Sequence, residues 1–292
     1  MERHLVEFSA VAMQRQDFKK TDDMFNRVLG KDHIAIVCLM EDRHTGTRLI
    51  IANAHIHWDP AYSDVKLVQV ALLLDEIEKI ANDFAKYPPP APPSPEVTAG
   101  FTNGETSAGD KADFLTSVGS ASQRPPPVYS DGSKIPVVVC GDFNSVPSSG
   151  VYEFLSTGSL PANHPDFLSH TYGRYTSDGL RHRLGLKSAY AATGTRELSM
   201  TNHTPSFQGE IDYIWYSTAN LGCNAVLGDV DKAYLEKVVG FPNAHYPSEY
   251  VVLRHNDCST LIYFSPSHIC IASEFRVKPP RDNPPRPPPV FS

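Results

Sequence analysis

Residues 137–144 read Val-Val-Val-Cys-Gly-Asp-Phe-Asn, and no other stretch restricts the fold as much. The β-branched run is a buried strand. Gly141 ends it, because a residue without Cβ lets the backbone turn sharply. Asp142 and Asn144 follow two residues apart, so both side chains project from one side of the strand's end. An acceptor-only carboxylate and an amide at the mouth of a sheet suit a hard divalent cation and a phosphate. Ligand sites in layered α/β folds gather where strands end. The same spacing also fits a plain strand followed by an Asx-type turn.

Around this strand the chain alternates between strand and helix signals. Ile34–Met40 and Leu49–Ala54 are apolar runs joined by a Gly-containing turn, a β-hairpin. Ser63 is placed to cap a helix running to about Lys86, with Val65, Val68, Leu72, Ile77, Ile80 and Phe84 on one face. Gly150–Thr157 reads as a short helix stopped by Gly158, Lys187–Ala192 as another, and Ile211–Ser217 as a strand. Composition divides the rest. Residues 1–87 and 134–278 carry the apolar content of one domain. Residues 88–133, rich in Pro, Ser, Gly and Ala, form a disordered insertion, and residues 279–292 a solvated Pro-rich tail.

The bulk numbers exclude some classes. Lys and Arg number 26 against 33 Asp and Glu, a net charge of −7, so the chain has no global basic footprint for coating nucleic acid. An acidic metal-holding nuclease stays compatible with that balance. Five Cys with no CxxC pair indicate reduced, intracellular usage rather than a disulfide framework or zinc site. Apolar runs fall short of membrane-spanning length, so no membrane partner is expected.

Two distant segments join the first. Residues 53–60 read Asn-Ala-His-Ile-His-Trp-Asp-Pro, and residues 202–217 read Asn-His-Thr-Pro-Ser-Phe-Gln-Gly-Glu-Ile-Asp-Tyr-Ile-Trp-Tyr-Ser. Together with Gly-Asp-Phe-Asn they resemble the endonuclease/exonuclease/phosphatase superfamily. Phe18-Lys-Lys-Thr-Asp-Asp, Ser63-Asp-Val-Lys and Asn144-Ser-Val-Pro-Ser-Ser-Gly-Val-Tyr narrow the resemblance to the poly(A)-shortening nuclease subunits of the carbon-catabolite-repression/NOT complex. The resemblance implies an α+β fold, a two-layer β-sandwich flanked by helices (the DNase-I-like fold), here incomplete at the N-terminus. It also implies a Mg²⁺-dependent 3′→5′ poly(A) exoribonuclease of messenger RNA decay, working in cytoplasm and nucleus on poly(A) RNA beside the other NOT-complex subunits.

Site residues follow from the same resemblance. Asp142, the metal-binding residue, would orient and deprotonate the attacking water, and Asn144 would hold the phosphate or that water. Asp212 would accept a hydrogen bond from a catalytic His and favour its protonated form. That His is His268, with His245 as its rival. His55 would contact phosphate from the opposite wall. Phe207 would stack on the base, with Pro60 across the slot and Asn202 hydrogen-bonding base or sugar. On the residues alone, a loop Phe such as Phe207, and His57 and Trp58, also read as packing, and Tyr213 and Trp215 as sheet and core.

The pattern breaks in two places. No segment before Ile34 reads as a strand ending in the family's metal-binding Glu, because residues 5–20 match a later family segment. The leucine-rich-repeat module that would tether the enzyme also has no counterpart, so the chain reads as truncated. Near the C-terminus the family's Pro-Ser-Asp-His is interrupted: Tyr246-Pro-Ser runs into Glu249-Tyr-Val-Val, and the pattern resumes at Ser267-His. Glu-Tyr-Val is encodable around a sequence resembling a fungal 5′ splice site, and excision up to Ser267 restores the Asp and keeps the frame. Residues 249–267 therefore read as a retained intron or a loop insertion. If they are real, the Asp beside the catalytic His is lost. Two further classes remain open: a catalytically inactive RNA- or partner-binding fragment, and another phosphodiesterase or phosphatase of the superfamily.

Overall fold

The computed structural model describes residues 2–18, 21, 24–88, 126–194, 196–243, 251–255, 258–262 and 267–278. Residues 89–125 of the expected insertion, the tail 279–292 and His245 lie outside the described residues.

Six strands form the main sheet: β1 (Glu2–Glu7), β2 (Ile34–Glu41), β3 (Arg48–His55), β4 (Val137–Asp142), β5 (Leu186–Ser188) and β6 (Asp212–Ser217). Their order is β1-β2-β3-β4-β6-β5. Every neighbouring pair is antiparallel except β3 and β4, which run parallel with His55 opposite Asp142. β1 was not foreseen: a strand ending in a glutamate, Glu7, does precede Ile34, and it pairs Glu7 with Ile34 at the sheet's edge. Its mixed Glu-Arg-His content hides the period-two signal that the apolar strands display.

The parallel pair needs a crossover, and the helix α2 (Ser63–Ala85) supplies it, following the short α1 (Phe8–Gln14). Val65, Val68, Leu72, Ile77 and Phe84 are buried as the spacing predicts, and Ile80 packs at the margin. From Asp64 to Leu74, however, the helix is buried on every side. The sheet covers one side. α1, α3 (Gly150–Thr157) and the 3-10 turn Pro165–Phe167 cover the others. Full burial of each Leu or Val here contributes about 1.5–3 kcal/mol.

Ser63 is not the cap. Asp59 accepts from Ala61 N at 2.9 Å and starts a 3-10 turn, Pro60–Tyr62, ahead of the helix, while Ser63 Oγ donates to Asp166 O. At the other end Arg48, 3% exposed, donates to Phe84 O, Tyr87 O and Pro88 O and neutralises the helix C-terminus. Residues 126–133 are ordered rather than part of a disordered insertion: Tyr129 is buried and its hydroxyl accepts from Arg48 N at 2.8 Å. α3 matches its expected bounds, with Ser149 capping it and Gly158 at φ 80° closing it. The helix expected over Lys187–Ala192 begins later, at Ala189, because Leu186–Ser188 is claimed by the sheet.

The second layer is a two-stranded sheet of β7 (Leu221–Val226) and β10 (Ser273–Val277), packed over Val138 and Tyr216. β8 (Val251–His255) and β9 (Cys258–Ile262), inside the segment read as an insertion, pair only with each other. The strand expected directly after His268 starts four residues later than Ile269, at Ser273.

Gly141 has φ +134°, and a Cβ there would sit 2.0 Å from Ala54 O. Gly141→Ala is expected to destabilise the fold by about 3 kcal/mol or more. Gly158→Ala, where the nearest atom is 3.3 Å away, should cost about 1 kcal/mol. Urea titrations of the two variants give the comparison, and equal losses would mean that the β3–β4 contact is not the tighter constraint.

Candidate active site

The site forms at the edge where β3 and β4 end and β6 begins. Parallel pairing sets His55 opposite Asp142, and antiparallel pairing sets Asp212, the first residue of β6, opposite Asp142 from the other side. Three chemistry-bearing residues therefore stand abreast. His55 Nε2 lies 3.5 Å from Asp142 Oδ2. His268 comes from outside the sheet. Its Nδ1 is 2.7 Å from Asp212 Oδ2 and its Nε2 is 3.8 Å from Asp142 Oδ2. Ligand atoms of Asp142, Asp212 and His268 all fall within 4.8 Å of one another.

His268 is held by backbone rather than by its own strand. Ile269 N donates to Thr201 O, His203 N donates to Ser267 O, and Asn202 bridges to His268. Thr201 is fully buried, and its Oγ1 accepts from Ile211 N and Asp212 N, both at 3.0 Å. One threonine thus ties the segment carrying His268 to the start of β6. Asn202 itself is buried, and its amide donates one N–H to Ser267 Oγ at 2.8 Å, which leaves its Oδ1 and second N–H for other partners.

Asn144 follows Asp142 at φ 47°, and its N–H donates to Asp142 Oδ1 at 2.8 Å. The Asx-type turn is therefore present and fixes the carboxylate's orientation. The Asn144 side-chain amide donates to Ile56 O, and the Asn144 backbone carbonyl accepts from Lys66 Nζ at 2.7 Å. Lys66 is 7% exposed on α2, and burial lowers its pKa. Its mark in the sequence is a lysine within the run Val65–Leu74, which is apolar apart from Lys66 and Gln69 and where only a satisfied ammonium is tolerated.

Charge is poised across the cluster. Burial first, then the charge of Asp212, pushes the Asp142 carboxyl up to about 7, against the opposing pull of His268, the Asn144 N–H and Lys66. For His268 burial works downward, but the hydrogen bond and charge of Asp212, with the charge of Asp142, prevail and raise it. Burial and the neighbouring His268 lower His55. Asp212 Oδ1 is buried without a hydrogen-bond partner. Two carboxylates, one orphaned oxygen and one proton-biased carboxyl suit a divalent cation.

The remaining expected residues lie on the surface nearby in sequence. Pro60 is exposed in the turn after His57. Phe207, 42% exposed, tips the loop joining the two-residue strands Asn202–His203 and Gln208–Gly209, its ring lying on Gly209. His57 packs, at 4% exposure, but Trp58 does not, at 65%. Tyr213 and Trp215 are core residues as expected. Glu7 is exposed and lies outside the Asp142–Asp212–His268 cluster.

Residues 113–235 match the model of the endonuclease/exonuclease/phosphatase family. The chain is 47% identical over 278 residues to the CCR4-Not complex 3′-5′-exoribonuclease subunit Ccr4 of Mycosarcoma maydis, covering 95% of this chain and 35% of that protein. It is 43% identical over 278 residues to the same subunit of Schizosaccharomyces pombe, covering 95% and 34%. The chain therefore spans about a third of the length of the curated relatives it matches. Among solved structures, that of ANGEL2, a 2′,3′-cyclic phosphatase, in complex with adenosine-2′,3′-vanadate, superposes with a TM-score of 0.57 at 21% identity. That superposition covers 95% of this chain and 67% of the other, and it supports the fold. With its strand-end cluster, its sheet and these relatives, the chain belongs to the endonuclease/exonuclease/phosphatase family, in the branch of the Ccr4 exoribonuclease subunits.

Proposed function

We propose that this chain carries the catalytic face of a Mg²⁺-dependent 3′→5′ exoribonuclease that shortens poly(A), acting beside other subunits of a CCR4-Not-type complex in cytoplasm and nucleus. The observation that carries the reading is the Asp142–His268–Asp212 cluster in a chain whose relatives are named exoribonuclease subunits.

Phosphodiester hydrolysis needs a proton taken from water and charge neutralised on the phosphoryl oxygens. Asp142, with Oδ1 occupied by Asn144 N–H, offers Oδ2 to take the proton. His268, fixed by Asp212 at Nδ1 and biased toward its cationic form, presents Nε2 to a phosphoryl oxygen. His55 faces the same carboxylate and reaches the phosphate from the other wall. Asp142 and Asp212 would hold the cation, which when bound supplies Lewis-acid charge to the phosphate. Phe207, with its exposed ring, is the proposed base platform, and Pro60 its counterpart across the slot. Asn202 contributes through Oδ1 and through its bridge to His268. A second reading, RNA binding without turnover, is favoured by one observation: the cluster found among the described residues contains no glutamate.

A 5′-labelled RNA ending in about twenty adenosines separates these readings. With Mg²⁺ a ladder of shortened products is expected, abolished by EDTA. Asp142→Asn and His268→Gln should each lower the rate at least about 100-fold. RNA bound but never shortened would select the second reading, and hydrolysis of inositol phosphates instead of RNA would overturn both.

The charge balance gives a second expectation. The Asp142 carboxyl is raised to about 7, whereas an unfolded Asp titrates near 4. The raised group contributes stability in full below about pH 4, and that contribution is lost as pH rises through 7. His268, also raised, acts in the same direction at the upper end of that window. Thermal melts in EDTA should therefore show Tm falling from pH 5 to pH 8. Mg²⁺ should restore more at pH 8, where it need not displace the proton. Asp142→Asn should flatten both trends, and a Tm in EDTA that climbs over this range would refute the assignment of charge.

A further inference from the structure

Trp58 is out of place by the ordinary rules of burial. It sits three residues beyond His55, in the loop that leads to Pro60, and 65% of it faces solvent. Indoles rank among the side chains most buried on average, and the chain's other tryptophan, Trp215, is fully buried. Within the described residues its one ring contact is His57, 6.2 Å away and tilted by 51°.

What lies beneath it is built. The His55 ring meets His33 at 6.2 Å, His33 meets His57 at 5.0 Å, and His57 meets Tyr62 at 5.2 Å, each pair close to perpendicular. The ammonium of Lys31 rests 4.5 Å from the centre of the Tyr62 ring. This strip therefore starts at His55, against Asp142, and ends at a cation. Arg27, which also covers Tyr62, is committed to both oxygens of Asp64 at 2.7 Å. Lys31 makes no ion pair with any described carboxylate. Burial pushes His57 down to about 4, so the middle of the strip is neutral. In a chain of net charge −7, an open indole and a cation without a described ion pair, set on one aromatic strip that continues into the His55–Asp142 row, match single-stranded RNA. Such a strand offers one π-face per base and one negative charge per phosphate.

We propose that this strip is the path of the RNA upstream of the scissile bond, with the Trp58 indole stacking on a base and Lys31 taking a backbone phosphate. The inference rests on the RNA reading above. Stacking of this kind tolerates any base, so the subsite adds affinity for single-stranded RNA and leaves adenine selection to the slot at Phe207.

Tryptophan emission reads the contact without turnover, because Trp215 is a buried, constant background. Hexa-adenylate is titrated in EDTA while the anisotropy of a 5′-labelled copy follows binding. Expected results are quenching in the wild-type chain, no quenching in Trp58→Phe, and none with AMP, which is too short to reach the strip. Trp58→Ala should weaken hexamer binding roughly 5- to 100-fold. Lys31→Met should lower the salt slope of binding by about 0.7. Both side chains lie at or near the surface, away from the core, so both variants should fold. Bound hexamer with unchanged emission, and with equal affinity in Trp58→Ala, overturns the subsite and leaves the RNA reading standing. No anisotropy change at all overturns both.

Discussion

The close approach of Gly141 to Ala54 is the constraint on which the site depends. β3 and β4 are the one parallel pair in the main sheet, and only parallel strands bring two C-terminal ends to the same edge. A side chain at Gly141 would drive the strands apart at the row where His55 faces Asp142. The same row continues to Asp212, because β6 enters the sheet where β4 leaves it. Backbone register, not loop folding, therefore sets three of the four central residues. Their mutual spacing inherits the rigidity of the sheet.

Electrostatics then explains why the surrounding polar groups are so fully tied. Two carboxylates at low exposure repel one another and are poorly solvated. The fold opposes that with one ammonium, Lys66, one imidazole, His268, and one backbone N–H, from Asn144. Each is itself anchored: Lys66 on α2, Asn144 through Ile56, and His268 through Thr201 and Asn202. Gln69, also on α2, accepts from His57 N at 2.9 Å and holds the loop next to His55. The first turns of α2 thus serve the site as well as the core. That double service is why polar residues interrupt its apolar run.

Sequence disclosed the parts of this arrangement that are local. Gly141-Asp-Phe-Asn announced a strand end, and the apolar, aromatic content of Ile211–Ser217 marked Tyr213 and Trp215 as sheet and core residues. What stayed hidden was pairwise. Nothing around Thr201 says that its hydroxyl will collect the N–H groups of Ile211 and Asp212, ten and eleven residues further along the chain. The exposure of Trp58 was hidden for a similar reason. His57 and Trp58 are adjacent and both aromatic, and only the packing of Tyr62 and His33 on His57 decides which of them turns inward. Tyr129 was masked by its Pro- and Ser-rich neighbours, although one hydrogen bond to Arg48 N holds it in the core. β1 was hidden by charge: of its six residues only Val6 is buried, too few apolar positions to show a period of two.

The sheet's two faces are unequal, and this bears on how the site is supported. Val6, Ala35, Val37, Leu39, Ile50, Ala52, Val137 and Val139 all point toward α2 and are buried there. On the opposite face β7 and β10 cover Val138, Tyr216 and Leu49. Leu5 and Ile36, paired across β1 and β2 on that same face, remain 60% and 39% exposed. The hydrophobic contribution to stability therefore comes mostly from the α2 side. The His55–Asp142–Asp212 row hangs from strands that are well packed on that side and partly open on the other. β3 and β4, which carry His55 and Asp142, lie between covered and uncovered ground. Leu5 and Ile36 therefore mark the face on which β2, the neighbour that β3 pairs with from Arg48 to Ala54, is least supported by packing.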